Sequence, residues 1–178
     1  MVVVKLPSGV SLLPLTPHAD DRGVFTELFR TSWDPGLAPV QWNVVRSEAN
    51  VLRGVHVHRR HTDYLIVVAG AAVVGLHDVR PDSPTEGMGA TVELDAHAPV
   101  ALVIPVGVAH GFYFHEQSVH VYAVSHEFDP ADELGCRWDD PGLNIEWSCA
   151  DPVISERDRG LGSLSELRVV WRGVTAPV

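Results

Sequence analysis

The sequence predicts an all-β domain, built as a sandwich or a barrel. Short segments rich in valine and aromatic residues recur along most of the chain, and clusters of glycine, proline, aspartate and serine separate them. Helical periodicity is nearly absent, so a short helix is predicted only at Ala131–Leu134 or Ser163–Arg168. We predict one domain over residues 1–178, with a core at about 21–158 and a peripheral C-terminal extension at 159–178.

Nine strands carry this prediction, because β-branched and aromatic residues accumulate between successive turn signals. The turn signals include Asp34-Pro35-Gly36, Ala69-Gly70 and Pro105-Val106-Gly107, where proline and glycine favour chain reversal. In chain order the predicted strands are Val2–Leu6, Gly23–Arg30, Gln41–Ser47, Leu52–His58, Tyr64–Asp78, Gly89–Leu94, Val100–Ile104, Gly111–Phe114 and Val119–Phe128.

The composition excludes several classes of protein. The net charge is −10, which argues against general affinity for nucleic acid or for an anionic membrane. No apolar run approaches the roughly 18 residues of a membrane span, and the N-terminus lacks a signal-peptide pattern. Cys136 and Cys149 are too few for a disulfide framework. We therefore expect a cytoplasmic protein with no nucleic-acid or membrane partner.

The candidate chemistry is concentrated in a histidine cluster. His56 and His58 are two residues apart in a predicted strand, so their side chains share one face. Asp63 follows after four residues, and His110 ends a later P-x-G-x-x-H segment. Two imidazoles on one face are half of a site for Fe, Mn, Ni or Zn. The candidate metal ligands are His56, His58, Asp63 and His110. The alternative is that these histidines are solvated residues at a strand end and bind nothing.

The segment from His56 to Asp63 and the later P-x-G-x-x-H segment that ends at His110 resemble the paired motifs of the cupin superfamily. Asp63 stands where that superfamily usually has glutamate. More narrowly, the chain resembles the dTDP-4-dehydrorhamnose 3,5-epimerase family. The matching segments run in order and are Asp21–Glu27 (DRGVFTE), Gln41–Asn43 (QWN), Val51–His56 (VLRGVH), Ser83–Gly87 (SPTEG), Ile104–Phe112 (IPVGVAHGF), Trp138–Pro141 (WDDP), Ile145–Trp147 (IEW) and Ile154–Asp158 (ISERD).

The resemblance implies a cupin-type double-stranded β-helix, or jelly-roll barrel, and an epimerase that needs no cofactor. In that family a histidine removes the protons next to the ketone of a 4-keto-6-deoxy sugar carried on a nucleoside diphosphate. By motif position the catalytic base is His56, Asp158 orients it, and Tyr122 returns a proton to the other face. The substrate-binding residues that the resemblance implies are Arg22, Phe25, Glu27, Gln41, Asn43, Arg53, His110 and Phe128.

One position departs from the family pattern. The family has a lysine, which stabilises the enolate, seven residues before the glycine that closes the strand, here Gly70. This chain has Asp63 there, and its only lysine is Lys5. A carboxylate beside a developing enolate opposes its formation. Either a divalent metal on the histidine cluster takes the lysine's part, or Arg59 or Arg60 supplies the charge, or the chemistry has changed.

Three functions are therefore open. The first is an epimerase or isomerase of a nucleotide-linked 4-keto-6-deoxy sugar, favoured by the matches at His56, Tyr122 and Asp158. The second is a metal-dependent cupin enzyme acting on another small polar substrate, favoured by the histidine cluster. The third is a non-catalytic cupin that binds a sugar nucleotide, favoured only by the missing lysine. We predict the first, in a homodimer that exchanges N-terminal strands such as Val2–Leu6.

Overall fold

The structure is a computed structural model of the chain, and it describes residues 5–173. Within that range twelve strands form two five-stranded antiparallel sheets and a separate hairpin. The strands are β1 (Ser11–Pro14), β2 (Pro17–Asp20), β3 (Gly23–Thr26), β4 (Gln41–Ser47), β5 (Val51–Val57), β6 (Asp63–Ala69), β7 (Ala71–Asp78), β8 (Gly89–Asp95), β9 (Val100–Ile104), β10 (Val108–Phe114), β11 (Ser118–Val124) and β12 (Leu134–Gly135). The helices are α1 (Glu156–Arg159) and α2 (Leu164–Gly173), with short 3-10 helices at Thr31–Trp33, Pro130–Asp132 and Pro141–Leu143.

The two sheets pack face to face around an aliphatic core. The first sheet has the strand order β1-β9-β6-β11-β4, and the second has β12-β5-β10-β7-β8. Inward side chains such as Leu65 and Val67 of β6 and Val74 and Leu76 of β7 are at most 2% exposed. Burial of apolar surface contributes about 25 cal/mol per Å² and is the main force that holds the sheets together.

The C-terminal part of the chain covers the outer side of the second sheet. Val55 and Val57 of β5 alternate with His56 and face outward, where they pack with Leu164 and Leu167 of α2. The predicted C-terminal extension thus lies outside the sheets but buries two leucines against them. Neither α-helix in residues 5–173 has the length and hydrophobicity that a membrane crossing requires.

Within residues 5–173, large apolar side chains are exposed on two surfaces, an edge strand and the hairpin. β4 is an edge strand of the first sheet, and its Trp42 and Val44 are 46% and 66% exposed. The β2–β3 hairpin is hydrogen-bonded to neither main sheet, and its Val24 and Phe25 are 68% and 64% exposed. Exposed large apolar side chains of this kind are typical of surfaces that contact another protein.

Most predicted strands are present, although several boundaries differ. Gln41–Ser47 and Val100–Ile104 have the predicted bounds. The predicted strand Tyr64–Asp78 is two strands, β6 and β7, because Gly70 reverses the chain with a φ of +71°. The sequence marks a turn at Ala69-Gly70, but the valine-rich pattern continues on both sides of it, and the predicted strand wrongly spans the turn.

Two predicted strands end early, and three strands, β1, β2 and β12, are unpredicted. Gly23–Arg30 ends at Thr26 as β3, and Val119–Phe128 ends at Val124 as β11. The sequence does not predict β1 and β2, since each is a four-residue strand that contains proline, a residue more typical of turns. In the predicted strand Val2–Leu6, residues 2–4 lie outside the described residues, and the other two are not in a strand.

The predicted helices are only partly correct. At Ala131–Leu134 the chain forms the 3-10 helix Pro130–Asp132 and then β12, because the proline and the N-cap Asp129 begin a turn too short to become an α-helix. At Ser163–Arg168 an α-helix is present, and it continues to Gly173.

Candidate active site

A cavity of about 550 Å³ opens between the two sheets. Its walls are β4, β6 and β11 of the first sheet and β5 and β10 of the second, together with residues 153–158. The volume is typical of small-molecule sites, and ionisable side chains converge in it. The predicted site residues that line it are Gln41, Asn43, Arg53, His56, His58, Asp63, His110, Tyr122, Phe128 and Asp158.

His56 and Asp158 form a short hydrogen bond at one wall of the cavity. His56 Nε2 lies 2.6 Å from Asp158 Oδ1, and because a carboxylate only accepts, the imidazole lone pair is on Nδ1. Asp158 Oδ2 also accepts the backbone N–H of Gly54 at 3.3 Å. Burial alone raises the pKa of Asp158, but the hydrogen bonds from His56 and Gly54 outweigh it and lower the pKa overall. The pair has the arrangement of a general base with an orienting carboxylate.

A β-bulge in β5 brings Arg53 and His56 to the same cavity. Strand alternation normally puts residues three apart on opposite faces. In the pairing of β5 with β10, Arg53 lies opposite Phe112. His56 lies opposite His110, so β5 has one residue more than β10 between the two pairs. Gly54, with a φ of +116°, lies in this extra stretch. Arg53 and His56 consequently both line the cavity.

Tyr122 lines the cavity from β11, on the sheet opposite His56. Burial, followed by the charge of Asp63, raises the pKa of the Tyr122 phenol. A raised pKa keeps the phenol protonated near neutral pH, which suits a proton donor. A ligand between the two sheets therefore meets His56 on one side and Tyr122 on the other.

His58, Asp63 and His110 converge in the same cavity. One ligand atom from each lies within 4.8 Å of the others, and all three residues are buried. His110 Nε2 is 3.9 Å from Asp63 Oδ2. His56, the fourth predicted metal ligand, is not in this group, and its Nε2 is hydrogen-bonded to Asp158.

Burial determines the charges within this group. It lowers the pKa of His58 and of His110 to about 3 each, with a neighbouring imidazole as the next cause in both cases. Both rings are therefore neutral at physiological pH. Burial, followed by the charges of Glu133 and Asp132, raises the pKa of Asp63 well above its usual value. The group thus has two neutral nitrogen donors and one carboxyl group that is costly to ionise without a cation.

Gln41, Asn43, Arg53 and Phe128 provide the polar and aromatic lining. Gln41 Nε2 donates to Asn43 Oδ1 at 2.9 Å, and Gln41 Oε1 accepts the Phe128 N–H at 2.9 Å. Asn43 Nδ2 is buried and has no hydrogen-bond partner among residues 5–173, so this donor suits a polar ligand atom. Arg53 Nε donates to the Ser47 hydroxyl at 3.0 Å, which anchors an otherwise exposed guanidinium at the cavity.

Three predicted substrate-binding residues lie outside the cavity of their own chain, namely Arg22, Phe25 and Glu27. They are on or next to the β2–β3 hairpin. Arg22 forms an exposed ion pair with Asp20, and Glu27 pairs with Arg30. Because the hairpin is a separate two-stranded sheet, it does not line the space between the main sheets. Within one chain, the structure does not bring these residues to His56.

Several residues around the cavity are not among the predicted site residues, namely His61, His120, Asp132 and Glu133. His61, His58 and Asp132 form a second group of converging ligand atoms. Glu133 Oε1 lies 3.3 Å from His58 Nδ1. The H-x-x-H spacing of His58 and His61 was a usable signal, and so was the position of His120 two residues before Tyr122. Asp132 and Glu133 reach the cavity because a segment distant in sequence folds back beside His58. Nothing in the local sequence predicts this contact.

Comparison with known proteins identifies the family. The model for the family dTDP-4-dehydrorhamnose 3,5-epimerase matches residues 5–166. The chain belongs to this family. A dTDP-4-dehydrorhamnose 3,5-epimerase of Pseudomonas aeruginosa is 35% identical over 149 residues, which are 79% of this chain and 82% of that protein.

Solved structures of the epimerase family share the architecture. The rmlC epimerase of Mycobacterium tuberculosis superimposes with a TM-score of 0.87 at 29% identity, over 96% of this chain and 92% of that one. ChmJ, a 3'-monoepimerase from Streptomyces bikiniensis in complex with dTDP-quinovose, gives 0.85 at 28% identity, over 96% and 90%. The predicted cupin-type jelly roll and the predicted isomerase class are confirmed. The roles of individual residues stay predictions.

Proposed function

We propose that this chain epimerises a nucleoside-diphosphate-linked 4-keto-6-deoxy sugar at C3, at C5 or at both. The observation that carries the proposal is the position of the His56–Asp158 pair and of Tyr122 on opposite walls of one cavity. Inversion at carbon needs a base on one face of the substrate and a proton donor on the other. The complex of ChmJ with dTDP-quinovose supports this class of substrate.

In the proposed reaction the ketone acidifies the hydrogens on the carbons next to it. His56 Nδ1 removes one of these protons, while Asp158 holds the ring and stabilises the imidazolium that forms. The electron pair of the broken C–H bond moves to the ketone oxygen, which becomes an enolate. Tyr122 then donates its proton to the opposite face of the same carbon. Every step is a proton transfer, so no redox or group-transfer cofactor is consumed.

The remaining lining residues suit the nucleotide part. Arg53 binds the diphosphate, because a planar guanidinium forms paired hydrogen bonds with phosphate oxygens. Phe128 is 57% exposed beside the cavity, and its ring stacks on the base. Asn43 Nδ2 donates to a substrate oxygen and so gains the partner that it lacks within the described chain.

We propose that the enzyme works as a homodimer. A second copy covers the exposed apolar surfaces at Trp42, Val44 and Phe25. The hairpin of each chain then reaches the cavity of the other, which places Arg22 at the diphosphate. This arrangement accounts for a hairpin that carries predicted substrate-binding residues but does not reach its own cavity.

We also assign the proposed enzyme to the cytoplasm. Both cysteines are free thiols, which suits a reducing compartment. Burial raises the pKa of Cys136 to about 12, so this thiol is inert at physiological pH.

Replacement of Val44 by lysine is expected to convert the dimer to monomers, because a charge would enter an apolar interface. Light scattering coupled to size exclusion measures the mass. Val169→Lys is the matched control, since Val169 is 72% exposed on α2, away from both surfaces, and its replacement is expected to leave the dimer intact. A Val44→Lys protein that remains dimeric would place the interface elsewhere.

Mixed dimers test whether Arg22 acts on the partner's site. Arg22→Ala and His56→Asn proteins are each expected to be nearly inactive. After subunit exchange, a mixed dimer has one site with both native residues, because His56 and Arg22 of that site come from different chains. Activity is therefore expected to return toward one site per dimer. No recovery in verified mixed dimers would mean that Arg22 does not act across the interface.

The first test of the proposed reaction is deuterium wash-in. The protein is incubated with dTDP-4-keto-6-deoxyglucose in heavy water, and NMR follows C3 and C5. Exchange at one or both of these carbons is expected, and the carbons that exchange identify the positions that the enzyme epimerises. No exchange by folded, metal-loaded protein at high concentration would refute the proposed function for this substrate.

A further inference from the structure

The carboxyl group of Asp63 is buried in the cavity wall, and the described residues place no permanent positive charge beside it. The residue is 6% exposed, and no lysine or arginine among residues 5–173 forms an ion pair with its side chain. Its nearest ion-pair contacts are imidazole nitrogens, with His61 Nε2 at 3.7 Å and His110 Nε2 at 3.9 Å. The chain's only lysine, Lys5, is exposed near the N-terminus and does not line the cavity. A buried carboxylate in this position requires a cation or a proton.

The two histidines beside Asp63 are oriented like metal ligands. His110 Nδ1 lies 3.0 Å from the Val108 carbonyl, so it donates its proton there and leaves the lone pair on Nε2. His58 Nδ1 faces the Asp132 carbonyl at 3.4 Å and Glu133 Oε1 at 3.3 Å, which likewise leaves Nε2 available. Ligating histidines usually donate the other ring N–H to a carbonyl or carboxylate in this way.

The distances also fit an ion. Two atoms that bind one ion at about 2.0–2.2 Å are about 3.0–3.5 Å apart. His110 Nε2 and Asp63 Oδ2 are 3.9 Å apart, so a shift of less than about 1 Å brings them into range. All three residues line the cavity, and the coordination positions that they leave open therefore face a ligand in it.

The overlapping group of His58, His61 and Asp132 is less suitable. The Asp132 carboxylate already accepts two backbone N–H groups, from Arg59 at 2.8 Å and from Arg60 at 3.0 Å. These bonds satisfy its charge and hold it in place as part of the loop. No backbone N–H of the described residues is bonded to the Asp63 carboxylate in this way, so the uncompensated charge is at Asp63.

We propose that His58, Asp63 and His110 bind one divalent first-row transition-metal ion in the wall of the substrate cavity. Two imidazole nitrogens and one carboxylate oxygen are donors that Fe, Mn, Ni, Co and Zn accept, and the hard-cation preference of Mg²⁺ for oxygen does not match them. The bound ion supplies the counter-charge that Asp63 lacks.

The position of the ion gives it a part in the reaction, and this step rests on the proposed function. His110 lies opposite His56 across β10 and β5, and Asp63 pairs with Val124, two residues from Tyr122 on the same face of β11. The ion therefore lies beside both proton-transfer residues. A divalent charge there stabilises the enolate oxygen and offsets the carboxylate that otherwise opposes it.

Cobalt binding tests the site independently of activity. Untagged, metal-stripped protein is titrated with Co²⁺, and the visible d–d absorption and the bound metal are measured. One Co²⁺ per chain is expected. Asp63→Asn removes a ligand and is expected to weaken binding by more than the ~10–100-fold that loss of an outer partner typically costs. Glu133→Gln, which changes such an outer partner of His58, is expected to weaken it within that ~10–100-fold range.

His97→Ala is the control for surface binding, since His97 is exposed and does not line the cavity. It is expected to bind Co²⁺ like the native protein. Equal binding by native protein and Asp63→Asn, with both folded by circular dichroism, would overturn the proposal. Absence of Co²⁺ binding by the native protein would also overturn it, and Asp63 would then carry a proton.

Deuterium wash-in with and without a chelator separates the metal from the reaction. Chelation is expected to abolish exchange by the native enzyme, and added Co²⁺ to restore it. Asp63→Lys, in which an ammonium replaces the ion, is expected to exchange at a rate that chelation does not change. Exchange by metal-free native enzyme would refute the metal's role and leave the epimerase proposal standing. No exchange with one Co²⁺ bound at the cluster would refute the epimerase proposal and leave the metal site.

Discussion

Replacement of His56 by asparagine is expected to slow deuterium exchange next to the ketone by about 10²–10⁴-fold, the usual contribution of a positioned general base. Asparagine is polar, and its amide takes the place of Nδ1 but has no basic nitrogen, so the change removes the base. His56 is only partly buried, so the shorter side chain is expected to leave the fold intact. NMR wash-in under saturating substrate measures the rate, and thermal unfolding checks the fold.

Tyr122→Phe is expected to separate exchange from inversion. His56 can still remove a proton and return deuterium from its own side, so exchange with retained configuration continues. Delivery to the opposite face requires the Tyr122 hydroxyl, so product of inverted configuration is expected to fall by about 10²–10⁴-fold. The ratio of exchange to inversion, which NMR gives in one experiment, is therefore expected to rise steeply.

His97→Asn provides the matched control for these variants, because His97 is exposed and remote from the cavity lining. Its exchange rate and product ratio are expected to equal those of the native enzyme. If His56→Asn retained native exchange, another group would be the base. If Tyr122→Phe lost exchange and inversion equally, Tyr122 would act before or during proton removal and not only after it.

The sheets of this fold are predictable because their signals are local. The strand at Val100–Ile104 is a continuous run of apolar residues between two turns, and those turns predict its limits. The proline-containing β1 and β2 are less visible. There the decisive interaction is pairing with a distant strand, as in the pairing of Ser11 with Val103. Local composition does not report such pairing.

The residues of the candidate site likewise divide into those that local sequence patterns predict and those that only tertiary contacts bring there. Alternation alone places His56 and His58 on one face, and both line the cavity. Alternation fails for Arg53, which shares that cavity only because a bulge adds a residue to β5. Nothing in the local sequence predicts the place of Glu133, since the β12 strand that follows it pairs with the distant β5 and so brings Glu133 to His58. Contacts of this kind depend on strand register and on the packing of distant segments, which the local sequence does not reveal.

Gly54→Ala is expected to destabilise the protein strongly, because two costs act at one position. A Cβ at Gly54 would lie 2.7 Å from Gly111 Cα and 2.8 Å from the His110 carbonyl oxygen. Both neighbours are backbone atoms of β10, which cannot rotate away as a side chain can. The φ of +116° adds backbone strain, because residues with a Cβ rarely adopt this conformation. Overpacking and backbone strain each cost about 1–3 kcal/mol, so we expect a loss of about 3–5 kcal/mol.

Gly36→Ala isolates the strain from the overpacking. Gly36 also has a positive φ, +86°, but a Cβ there would meet no atom within 4 Å. Its replacement is expected to cost about 1–2 kcal/mol, so the difference between the two variants measures the close approach of β5 to β10. Denaturant unfolding gives both values. Equal losses of stability in the two variants would mean that β5 can move away from β10 without cost. A larger loss in Gly54→Ala would mean that the close backbone contact at the bulge also holds His56 in position beside His110.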